Sequence, residues 1–118
     1  MNILGKLITS RRKQLGLQQK QLAARLKNRD DKSLSATYLN YIESGRGLPP
    51  DYLLEQIAAS LQLPPEVLYF WARRMPPDVV PTEYIDADRV TAALRLFRAT
   101  LKRDGGRTSA GIVPGIVR

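Results

Sequence analysis

Apolar residues recur along this chain at helical spacing from one end to the other. Ile3, Leu4, Leu7, Ile8 and Leu15 lie near one face of a first amphipathic helix over residues 3–15, with Lys6, Arg11, Arg12 and Lys13 mostly off it. Gly16 ends it. A second helix begins near Gln18 or Gln19 and runs to about Lys27, with Leu22, Ala23 and Leu26 as its buried stripe. A third spans Ser35–Gly45: Ser35 is suited to capping, Leu39 and Ile42 share one side, and Gly45 closes the run. With Leu39 and Ile42 inward, Ala36, Thr37, Asn40 and Tyr41 form an outward surface almost free of charge. Leu53, Leu54, Ile57, Ala58 and Leu61 carry the i, i+3, i+4, i+7 pattern of a fourth, core helix that starts at Pro50 or Asp51. Pro65 sits near the first position of a fifth, with Glu66 in its positive first turn and Val67, Leu68, Phe70 and Trp71 as packing residues.

Beyond the proline-rich Met75–Pro81, a sixth helix runs from Asp86 or Asp88 to about Arg103. Its Val90, Leu94, Phe97 and Leu101 repeat at spacings of four, three and four, which is seam spacing for packing or dimerisation. Fewer than three heptads do not make a stable isolated coiled coil. The glycine-containing end of the chain has no helical period and is expected to be disordered. The expected organisation is therefore residues 1–74 as one domain, 75–104 as connection and C-terminal helix, and 105–118 as a flexible tail.

Composition narrows the chemistry. At 118 residues the chain supports one small core. It has no Cys and no His, which removes disulfides, thiolate metal sites, the commonest metal ligand and the commonest general base. No cofactor, metal or small-molecule substrate is implied, and the close carboxylate pairs Asp30/Asp31 and Asp86/Asp88 are explained by solvation and a helix start. No apolar run approaches the roughly 20 residues of a membrane helix and no signal peptide is evident, so a cytoplasmic protein is expected.

The net charge is +8, and it is unevenly placed. Residues 1–34 carry nine Lys/Arg and two Asp, residues 35–85 three against six, and residues 86–118 seven against three. A basic front fits a polyanion partner, because each phosphate neutralised by Lys or Arg releases counterions.

Three segments, taken in order, resemble the Cro/CI-type helix-turn-helix repressors, also called the XRE family. They are R-R-K-Q-L-G-L-Q-Q-K-Q-L-A from Arg11, Y-L-N-Y-I-E-S-G from Tyr38, and L-L-E-Q-I-A-A-S-L-Q-L from Leu53. The resemblance covers roughly residues 3–72. It implies an all-α, five-helix, lambda-repressor-like domain that binds double-stranded DNA, with the third helix in the major groove. Carried over by position, Ala36, Thr37 and Tyr41 face bases, with Asn40 and Tyr38 at the groove or backbone. Gln19 then bonds a phosphate at the start of the second helix, Arg12 and Glu43 form an ion pair beneath the DNA surface with Arg12 near a phosphate, and Arg11, Lys13, Lys20, Arg25 and Arg46 are candidate phosphate contacts.

One feature departs from the family pattern: Leu26 and Leu34 are separated by seven residues, K-N-R-D-D-K-S, where the family has a tight turn. An exposed loop there could lie outside the interface, bring Arg29 and Lys32 onto the DNA backbone, or shift the third helix. Two functions are in play. One is a homodimeric transcription regulator on a roughly palindromic operator; the other is an interaction protein, such as an antiactivator or antitoxin partner, that binds another protein.

Overall fold

The computed structural model describes residues 2–79 and 81–102. Six α-helices are found among them: α1 (Ile3–Gln14), α2 (Gln19–Arg25), α3 (Ala36–Glu43), α4 (Asp51–Leu61), α5 (Pro65–Trp71) and α6 (Ala87–Lys102), with a single 3₁₀ turn at Pro77–Val79. The chain divides into two compact units between Pro76 and Pro77. The expected tail, residues 105–118, lies outside the described residues.

Local chemistry places the helix ends. Asn2 starts α1, its Oδ1 accepting the Gly5 N–H at 2.7 Å, and Ser35 Oγ does the same for the Tyr38 N–H of α3 at 3.1 Å. At the start of α2, Gln18 N–H donates to Gln21 Oε1 at 2.7 Å. Gly45, at φ 83°, takes the left-handed conformation that ends α3. Pro65 occupies the first turn of α5, where a missing N–H costs nothing.

The core of the first unit is built from Leu4 and Ile8 of α1, Leu22 and Ala23 of α2, Leu39 and Ile42 of α3, four leucine or isoleucine positions of α4, and Leu68, Tyr69 and Ala72 at α5. Closely packed α2 and α3 lie together, and α1 crosses α3 at Gly5. A Cβ at Gly5 would collide with the Glu43 carbonyl, so a glycine is what allows this approach.

Two expectations are corrected here. Phe70 and Trp71 do not pack into the core; each is 39% exposed, and their rings meet edge to face at 4.8 Å. Tyr69, 1% exposed, takes that place instead. V-L-Y-F-W is apolar at every step and so carries no phase, and the decision falls to polar chemistry: the Tyr69 hydroxyl donates to Glu55 Oε2 at 2.7 Å, satisfying it at the edge of the core. Ile3 is likewise exposed rather than buried.

In the second unit, Asp86 Oδ1 accepts the Arg89 N–H at 2.8 Å at the start of α6. None of the 16 residues of α6 is buried, and Val90, Leu94, Phe97 and Leu101 are between 43% and 58% exposed.

Candidate nucleic-acid interface

The outward face of α3 is positioned by what its inward face holds. Glu43, at the end of α3, is 3% exposed and accepts four hydrogen bonds: from Arg12 Nε (2.8 Å) and Nη2 (3.0 Å), from Thr9 Oγ1 (2.9 Å) and from Gln19 Nε2 (3.0 Å). Arg12, 7% exposed, presents its fork to both carboxylate oxygens and gives its remaining Nη1 to the Leu17 carbonyl at 2.8 Å. One buried carboxylate thus joins α1, the start of α2 and the end of α3. Burial pushes the Glu43 carboxyl up, but the hydrogen bonds from Arg12, Gln19 and Thr9, together with the Arg12 charge, outweigh it and hold the group below its ordinary range.

Around this cluster the sequence-expected residues separate. Thr37 and Asn40 are exposed, Tyr41 is 43% exposed, and Ala36 and Tyr38 are half-buried. Asn40 Oδ1 accepts from Gln19 Nε2 at 3.2 Å, which ties this exposed amide to the start of α2. Tyr38 and Tyr41 stack at 6.2 Å, and Tyr41 lies over Gly47, where any Cβ would strike its ring. Lys13, Lys20, Arg25 and Arg46 are exposed.

Three residues sit differently from the expectation. Arg12 is buried, with each of its three guanidinium nitrogens donating one hydrogen bond inside the protein, so its main role is in the ion pair with Glu43. Arg11 turns to α4, its Nε donating to the Leu61 carbonyl at 2.9 Å and its Nη1 to Gln14 Oε1 at 3.0 Å. Gln19 directs its amide at Glu43 and Asn40. The reason is geometric: adjacent residues of a helix are turned about 100° apart, so a run of three cations must divide between different neighbours. Thr9 and Gly5 escaped the sequence reading. For Gly5 the signal was there, a lone glycine inside a helical pattern; for Thr9 there was none, since a threonine on a helix says nothing of a carboxylate 34 positions away.

A family model described as Helix-turn-helix matches residues 8–68, just over half of the chain. No curated protein and no solved structure gives a significant match. Among the described residues no helix is long and apolar enough to cross a membrane.

Proposed function

The chain belongs to the Cro/CI-type (XRE) helix-turn-helix family, a DNA-binding regulatory family and not an enzyme family, and on that premise we propose that it regulates transcription by binding a roughly palindromic operator as a homodimer. In this reading α3 lies in the major groove. The observation that carries it is the exposure of Thr37, Asn40 and Tyr41 on a helix whose other face is fixed through Glu43. The Thr37 methyl and Ala36 suit a thymine methyl, the Thr37 and Tyr41 hydroxyls suit base edges or phosphates, and an amide such as that of Asn40 pairs bidentately with adenine. Lys13, Lys20, Arg25 and Arg46 supply phosphate contacts, and Gln19 serves by setting Asn40 and the start of α2 against α3.

Two copies are joined through Val90, Leu94, Phe97 and Leu101 of α6. A seam this short pairs weakly by itself, so DNA holding both copies on adjacent half-sites supplies the rest as effective concentration. Selection of bound sequences from a random duplex pool, followed by footprinting, tests the proposal. It expects an enriched inverted repeat with half-sites about one or two helical turns apart. An unenriched pool and no footprint at physiological salt would overturn it.

A second reading is favoured by a specific feature: the apolar seam of α6, with Val90, Leu94 and Leu101 exposed, suits a protein partner. Light scattering after gel filtration separates the two, since a stable heterocomplex that excludes DNA supports partner binding and a homodimer that retains operator binding does not.

A further inference from the structure

The segment that lengthens the connection between α2 and α3 is built rather than loose. Lys27 and Ser33 form an antiparallel bridge, and the Leu34 N–H donates to the Leu26 carbonyl at 3.0 Å. Asn28 Oδ1 accepts the N–H groups of Asp30 and Lys32 at 2.8 and 3.0 Å, and Asp31 turns the tip at φ 63°. Gln56 of α4 clamps the base from both sides: its Oε1 accepts the Lys27 N–H at 2.7 Å and its Nε2 donates to the Lys27 carbonyl at 3.0 Å. The result is a small hairpin seated on α4 and leading directly into Ser35, the cap of α3.

Arg29 projects from this hairpin over Tyr52, with its guanidinium carbon 4.3 Å from the ring centroid. Tyr52 in turn lies close enough to Tyr38 to help raise the Tyr38 phenol, after burial, as does Tyr41. Tyr38 stacks on Tyr41, and the Arg46 guanidinium carbon is 6.0 Å from the Tyr41 centroid. Two exposed arginines thus lie over tyrosine rings near α3: Arg29 on Tyr52, at the hairpin that leads into the α3 cap, and Arg46 beside Tyr41, which stacks on Tyr38.

We propose that the 27–33 hairpin is a second DNA-contacting element, in which Arg29, seated on Tyr52, holds a phosphate flanking the bases that α3 faces. A guanidinium stacked on a ring keeps its N–H donors at the edge of its plane, where a phosphate is bonded, and has already lost part of the side-chain freedom that binding removes. The exposed Lys32 adds charge on the same hairpin, whereas Lys27 donates its Nζ to Ser33 Oγ at 3.0 Å. Asp30 and Asp31 at the tip oppose a close approach there, so the contact belongs to the Arg29 side and not to the turn. The inference rests on the reading that α3 meets DNA.

The test measures binding to the selected duplex over a range of salt for the wild type, Arg29→Gln, Arg29→Lys and Tyr52→Leu, with a thermal melt of each. Loss of one phosphate contact lowers the slope of log K against log salt by about 0.9 and weakens binding about five- to tenfold at 0.1 M salt. Arg29→Gln is expected to show both without changing the preferred sequence. Arg29→Lys is expected to keep the slope and lose part of the affinity, and Tyr52→Leu to fall between. An Arg29→Gln variant that melts and binds with the wild-type slope overturns the hairpin contact while leaving α3 in place. A wild-type protein with no salt-dependent duplex binding overturns both.

Discussion

α3 and α6 are both amphipathic helices, and they handle their apolar faces in opposite ways. α3 has eight residues, too few to stand alone, and it persists because Leu39 and Ile42 are buried, Ser35 and Gly45 close its ends, and Glu43 is gripped by three neighbours. α6 is twice as long, yet its apolar seam is about half exposed. What α3 turns outward is polar and held in place from behind. What α6 turns outward is apolar, and gains free energy only when something covers it. Recognition of a polar, patterned surface belongs to the first kind of helix, and pairing with an apolar surface to the second.

The comparison breaks most visibly at Glu43. Glu43→Ala strands the Arg12 guanidinium in the interior, and a loss of about 3–5 kcal/mol is expected from chemical denaturation, with DNA binding lost alongside. Gly5→Ala acts on the same junction from the other side. Its methyl meets the Glu43 carbonyl, and the expected cost is about 1–3 kcal/mol, read as a lowered denaturation midpoint.

Acid provides a graded version of the Glu43 experiment. Because the folded carboxyl sits below its unfolded value of about 4.3, its contribution is fully present above that value and is lost as pH falls through the lowered native one. Denaturation midpoints measured from neutral pH downward should therefore fall on the acid side, and Glu43→Gln should remove that component of the fall. At the small end lies α6: Leu94→Asp is expected to change the unfolding of the first unit by less than about 0.5 kcal/mol. The same change should shift the oligomeric state measured by sedimentation toward monomer.

Much of this was legible in the sequence because it is local. Ser35, Gly45 and Pro65 mark helix ends by their own backbone chemistry, and the α4 stripe from Leu53 to Leu61 repeats often enough to define a buried face. Less was legible where long-range chemistry decides. Arg11 and Arg12 are neighbours in a basic run; the Arg12–Glu43 ion pair was expected from the resemblance and is present, whereas the bond from Arg11 to the Leu61 carbonyl left no sign in the sequence. N-R-D-D-K-S has no apolar residue and reads as loop, yet Gln56, 29 positions from Lys27, turns it into a hairpin. A partner that distant leaves no periodic trace.

The central claim is that the outward face of α3 selects a DNA sequence while its inward face holds the fold. It is tested most directly by a variant carrying Thr37→Ala and Asn40→Ala, whose side chains are exposed. Its affinity for the selected site and for unrelated duplex should be measured beside its thermal melt. The account predicts an unchanged melt, unrelated duplex bound as by the wild type, and the preference for the selected site reduced by at least tenfold, a loss of about 1.4 kcal/mol. A variant that retains the full wild-type preference would contradict it.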